Sequence, residues 1–77
     1  MRPLTQHQRN VLGLLDGGPK TSSQIVEASW QRTGTGQLSY DEVHGVLRRL
    51  EDRELVRRLG YPSKWELTSA GRKALAA

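Results

Sequence analysis

Apolar residues along this chain recur first at helical spacing and then in two short runs. Thr5 and Gln8 stand three apart, the spacing at which an N-cap hydroxyl and the side chain at N3 satisfy each other's backbone amides, and Leu4, Val11, Leu12 and Leu15 follow at helical intervals. Gly17-Gly18-Pro19 stops this pattern, so a first helix is predicted over about residues 6–16. Thr21 and Gln24 repeat the box ahead of a small inward stripe of Ile25, Ala28 and Ser29, which ends at Thr33-Gly34-Thr35-Gly36. The second helix is therefore short and lightly apolar. A third box, Ser39 with Glu42, opens the clearest segment: Val43, Val46, Leu47 and Leu50 stand at i, i+3, i+4 and i+7 and predict a helix over about residues 40–53.

Beyond that helix the apolar residues cluster in two short runs, about residues 55–59 and 65–68, on either side of the turn sequence Gly60-Tyr61-Pro62-Ser63. These read as a two-stranded hairpin. Thr68 or Ser69 then caps a last short helix through Ala76. The predicted order is helix, helix, helix, strand, strand, helix, an α+β arrangement that is mainly α. No internal repeat, low-complexity tract or linker divides it, so residues 1–77 are expected to form one domain.

Composition removes several function classes. A chain of 77 residues builds one small core, near the lower size at which a core folds without staples. The absence of cysteine excludes disulfides and thiolate metal sites. No apolar run approaches the roughly 20 residues of a membrane span, and Met1-Arg2-Pro3-Leu4 leads straight into a polar helix, so no membrane partner and a cytoplasmic location are expected. The two histidines, His7 and His44, are remote in sequence, and no glycine-rich string follows a strand and opens a helix. Of the acidic pairs Asp41-Glu42 and Glu51-Asp52, both at helix ends, the first is accounted for by capping and the helix dipole. No catalytic residue, metal, cofactor or small-molecule effector is expected. Twelve Lys and Arg against 8 Asp and Glu leave a net charge of +4, which favours a polyanionic partner without requiring one.

Arg32-Thr33-Gly34, Gly36-x-Leu38-Ser39, Val43-x-x-x-Leu47-x-Arg49-Leu50-Glu51, Leu55-Val56 and the closing Leu67-Thr68-x-x-Gly71-x-x-x-Leu75 follow one another along the predicted elements. With these residues and this order of elements, the chain resembles the winged helix-turn-helix proteins, and is most similar to the PadR-like transcriptional regulators, with the MarR-like regulators as relatives. The resemblance implies the order α1-α2-α3-β-β-α4, with the third helix entering double-stranded DNA and the hairpin as a wing. Three departures limit it. His44 stands where the family usually has an aromatic residue, so contacts made there by relatives are not carried over. Glu54 stands where the family usually has glycine, and is expected to take a left-handed conformation or a different turn. The sequence also ends at Ala77, before the C-terminal helices with which PadR-like proteins make their dimer and effector pocket. Dimerisation and effector sensing are therefore not implied for this chain.

The helical wheel gives candidate DNA contacts. With the apolar stripe inward, Asp41, Gly45, Arg48 and Asp52 point outward, with His44 and Arg49 on the flanks. Arg48 is the candidate base reader, because a guanidinium donates twice to guanine O6 and N7. Gly45 either admits a close approach of DNA or another element, or is simply tolerated; Asp41 either suits the helix N-terminus or accepts from a cytosine amino group. His44 is read first as a solvated flank residue and second as a base contact. Arg57, Arg58 and Lys64 bracket the wing, with Tyr61 at its tip. Alternation puts Arg57 and Arg58 on opposite faces, so that one of them shares a face with Lys64. Lys20, Ser22, Ser23, Ser39 and Tyr40 lie at the starts of the second and third helices, whose free amides suit phosphates. Trp65 is expected to cover the core. Trp30 packs on a loop or, with the first helix, forms a homodimer contact. Two alternatives stand beside the DNA-reading regulator: a small phage or plasmid architectural DNA-binding factor, and a winged-helix module that docks a protein.

Overall fold

The computed structural model describes residues 3–31, 38–60 and 63–77. The Arg32-Thr33-Gly34 segment, Gly36 and the wing-tip residues Tyr61 and Pro62 lie outside the described residues. Six elements follow in the expected order: α1 (Gln6–Leu15), α2 (Ser22–Gln31), α3 (Tyr40–Asp52), β1 (Val56–Leu59), β2 (Lys64–Leu67) and α4 (Ser69–Ala76). The strands form one antiparallel pair in which Val56 faces Leu67, Arg57 faces Glu66, Arg58 faces Trp65 and Leu59 faces Lys64. Among the described residues, no helix is long and apolar enough to cross a membrane.

All three capping boxes close in both directions. The Gln8 amide donates to Thr5 Oγ1 at 3.1 Å and the Thr5 amide to Gln8 Oε1 at 3.1 Å. Thr21 with Gln24 closes at 2.9 and 3.2 Å, and Ser39 with Glu42 at 3.2 and 3.1 Å. Element boundaries differ from the sequence reading by one residue in several places, two of them for the same kind of reason. Thr68 leaves the second strand because its hydroxyl caps α4, accepting from the Gly71 amide at 3.0 Å. Leu55 leaves the first because its amide turns back to the Leu50 carbonyl at 2.9 Å.

That bond belongs to a Schellman motif at the end of α3, completed by the Glu54 amide donating to the Glu51 carbonyl at 2.9 Å. Glu54 occupies the left-handed position of the motif with φ of 60°, the first of the two alternatives that the sequence left open there. A side chain in that region costs about 1–2 kcal/mol. Glu54→Gly is therefore expected to stabilise the domain by about 0.5–1 kcal/mol once the extra freedom of glycine in the unfolded chain is offset. A shift of the urea midpoint to higher concentration checks this; an unchanged or lower midpoint contradicts it.

The core lies where α1, α2 and α3 meet the hairpin. Val11, Leu12, Ile25, Val43, Leu47 and Leu50 are fully buried, and Leu55, Val56, Trp65 and Leu67 close the cluster from the strands. One expectation about α2 is corrected: its inward face is Ile25, Val26 and Ser29, with Ala28 half-buried at the edge. Packing against both α1 and α3 widens the face that α2 must bury. The Ser29 hydroxyl is satisfied inside, donating to the Val26 carbonyl at 2.6 Å and accepting from the Leu38 amide at 3.3 Å. Lys20, in the connection between α1 and α2, forms an antiparallel bridge with Trp65 through backbone bonds of 2.7 and 3.0 Å. The hairpin is thereby tied to the start of α2.

Candidate nucleic-acid interface

The Ser39 cap and the Schellman motif fix both ends of α3, and its apolar stripe fixes its rotation, so its outward residues follow. Asp41, Gly45, Arg48 and Asp52 are exposed. An ideal Cβ built on Gly45 meets nothing within 4 Å, so no element of this chain requires glycine there. Of the readings left open for Gly45, close approach by another part of the described chain is thus excluded. Arg48 is exposed and has no acidic partner among the described residues, which leaves its guanidinium donors available.

The flanks of α3 differ. Arg49 lines a cleft with Pro3, Thr5, Gln8, Asp52 and Arg53, where Arg53 Nη1 donates to Gln8 Oε1 at 3.3 Å. Arg49 therefore faces the start of α1, and Arg48 is the arginine of the outward face. On the other flank Tyr40 is 51% exposed and its ring centroid lies 4.5 Å from that of His44. His44 is half-buried and its Nε2 is buried with no hydrogen-bond partner. This corrects the expectation of a solvated flank residue: the imidazole is half-buried beside Tyr40.

At the start of α2, the sequence placed Ser22 and Ser23 together as surface groups, and the structure separates them. Ser23 is exposed, whereas Ser22 is buried and its hydroxyl accepts the Trp65 indole N–H at 3.2 Å. The Ser22 hydroxyl turns inward because the indole, which donates only, needs an acceptor once buried. Lys20 is half-buried beside β2, and Ser39 is exposed at the α3 start with its hydroxyl engaged in the cap.

On the hairpin, directly opposed residues share a face. Arg58 opposes Trp65 on the face that carries the core residues Val56 and Leu67, whereas Arg57, Glu66, Leu59 and Lys64 occupy the other. Lys64 thus shares its face with Arg57, and Lys64 has no acidic partner among the described residues. Arg57 pairs with Glu66 across the strands. Arg58 reaches back to α3: its Nε lies 3.2 Å from Glu51 Oε2, its Nη2 donates to Glu51 Oε1 at 3.4 Å, and its Cζ stands 4.7 Å from the Trp65 ring centroid. Neither Glu51 nor Trp65 was singled out as a partner of these arginines by sequence reasoning, because nothing local marks a contact made across the Schellman turn.

No family model matches the chain, and no curated protein matches it in sequence. In three dimensions it is similar to solved transcription regulators. A Pseudomonas aeruginosa protein assigned as a transcriptional regulator matches with a TM-score of 0.75 and 30% identity, over 90% of this chain and 45% of that one. BpsR of Bordetella bronchiseptica, whose DNA binding is regulated by 6-hydroxynicotinic acid, matches with a TM-score of 0.79 and 28% identity, over 95% and 50%. A PadR family transcription regulator of Clostridium difficile matches with a TM-score of 0.81 and 15% identity, over 94% and 81%. The chain spans about half the length of the first two. Four helices and a two-stranded antiparallel hairpin in this order make the chain a winged-helix domain, with the fold of PadR-family and other winged-helix transcription regulators.

Proposed function

We propose that the chain reads double-stranded DNA in a sequence-specific manner and acts as a cytoplasmic transcriptional regulator, with α3 in the major groove and the β1–β2 hairpin as the wing. The observation that carries the reading is the outward face of α3: an exposed arginine with no acidic partner among the described residues, one turn from a glycine whose surroundings are open, on a helix held at both ends. Similarity in fold to regulators, one of them with regulated DNA binding, supports the same conclusion.

In this reading Arg48 donates to a guanine edge, and Gly45 lets the groove wall come close. Asp41, beside the α3 N-terminus, either complements the dipole or accepts from a cytosine amino group. The free amides at the starts of α2 and α3, with Ser23, Ser39 and Lys20 beside them, take phosphates. Lys64 presents the outer face of the wing to the backbone, beside an Arg57 held by Glu66. Tyr40 and His44 border the groove contact, and Arg49 reaches at most its α1 edge. A homodimer would read an inverted repeat with half-sites about one helical turn apart, roughly 34–36 Å; a monomer would read one short asymmetric site. No effector is assigned.

Arg48→Ala is expected to weaken binding to a recognised duplex by about 1–3 kcal/mol, roughly 5- to 150-fold, and to relax the preference at one base pair. Lys64→Ala is expected to weaken all sequences alike and to flatten the slope of log affinity against log salt by about 0.9. Titrations of both variants from about 0.05 to 0.2 M salt check this. Arg48→Ala with unchanged affinity and sequence preference contradicts the proposed reading face.

A further inference from the structure

We propose that Glu51 is a positioning residue for DNA recognition, and that Arg58 is a strut joining the wing to α3 and not a ligand for phosphate. The inference rests on the DNA-reading function proposed above and deepens it. Arg58 is one of the two wing arginines that the sequence offers to the DNA backbone, yet its guanidinium is already engaged twice over. Glu51 in the last turn of α3 meets Nε and Nη2 at 3.2 and 3.4 Å, and the Trp65 ring lies 4.7 Å from Cζ. A phosphate arriving there would have to displace a carboxylate of its own charge.

The three residues belong to three elements. Glu51 lies in the last turn of α3, Arg58 in β1 and Trp65 in β2. Trp65 is itself fixed on its other side, through its indole bond to Ser22 at the start of α2 and its backbone bridge to Lys20. The second strand is thus anchored to α2 directly and to α3 through Arg58, which sets the angle between hairpin and reading helix. A winged reader engages the duplex at two places at once, so a fixed angle removes an ordering cost that a swinging wing would meet on every binding event. With side-chain exposures of 53% for Arg58 and 39% for Glu51, the ion pair adds little to stability, and its effect is expected in recognition.

The test compares Glu51→Gln, Arg58→Ala, Arg58→Glu and the double reversal E51R/R58E with the parent chain, on a duplex the parent chain enriches, over a range of salt. A strut predicts that Glu51→Gln binds DNA roughly 3- to 10-fold more weakly although it raises the net charge, with melting temperature and salt slope unchanged. It predicts a comparable loss with an unchanged slope for Arg58→Ala, and partial recovery of the Arg58→Glu loss in the double reversal. A phosphate ligand predicts the opposite signs. Glu51→Gln would release Arg58 and bind more tightly with a slope steeper by about 0.9, Arg58→Ala would flatten the slope by the same amount, and the double reversal would show no recovery. Any of these three results overturns the inference and leaves the DNA reading standing. A parent chain that enriches no duplex overturns both together.

Discussion

Trp65→Ala is expected to lower the unfolding free energy by about 3–5 kcal/mol, out of a total of roughly 4–12 kcal/mol for a domain of this length. The indole is only 3% exposed and lies within the continuous core cluster. Its truncation leaves a cavity under the hairpin, strips the buried Ser22 hydroxyl of its N–H partner and removes the surface on which Arg58 rests. The backbone bridge to Lys20 loses the packing that holds it in register. Trp30, 56% exposed, offers the contrast within one molecule: its indole N–H reaches the Leu38 carbonyl at 3.4 Å, and its replacement by alanine is expected to cost at most about 1 kcal/mol. Urea unfolding followed by far-ultraviolet circular dichroism separates the two. Equal midpoints for the two variants would contradict the core described here.

Gly71→Ala is expected to cost about 3 kcal/mol, at the upper end of what an added methyl causes in a packed interior. A Cβ at Gly71 would lie 2.1 Å from the Leu55 carbonyl oxygen and 3.1 Å from its carbon, with Leu67 Cδ2 at 3.3 Å. Leu55 cannot swing aside cheaply. Its carbonyl accepts the Thr68 amide at 3.1 Å, its amide closes the Schellman motif on Leu50, and its side chain is 2% exposed. The first turn of α4 must therefore move off the β1 end, taking the Thr68 cap with it. A melting temperature within about 2 °C of the parent would show that the α4 start relaxes freely, against this packing.

The two glycines that matter here, Gly71 and Gly45, look alike in a sequence, and only the packing distinguishes an obligatory glycine from an open one. The elements themselves were legible, because each helix carries its own start signal and α3 its own apolar stripe. The turn at Glu54 was legible only as two alternatives, a left-handed residue or a different turn, and the backbone decides for the first. What stayed hidden depends on partners far along the chain. Ser22 turns inward for a tryptophan 43 positions later, and Arg58 turns toward α3 for Glu51 and Trp65 together. The second inward apolar residue of α2, Val26, was hidden because a two-sided packing face looks like a weak one-sided stripe. The outward direction of Asp41, Gly45 and Arg48 followed from the helical wheel alone, while the side on which Arg49 falls required the position of α1.

The measurement that tests the central claim most directly is selection of bound duplexes from a random-sequence pool at about 0.15 M salt, where nonspecific attraction is substantially screened. Sequence-specific recognition predicts enrichment of a defined site: a palindrome if the chain reads DNA as a dimer, or one short asymmetric site if it reads alone. Loss of that enrichment in Arg48→Ala would place the reading on the outward face of α3. A pool that stays random with the parent chain would contradict sequence-specific recognition and turn attention to a protein partner for the same face.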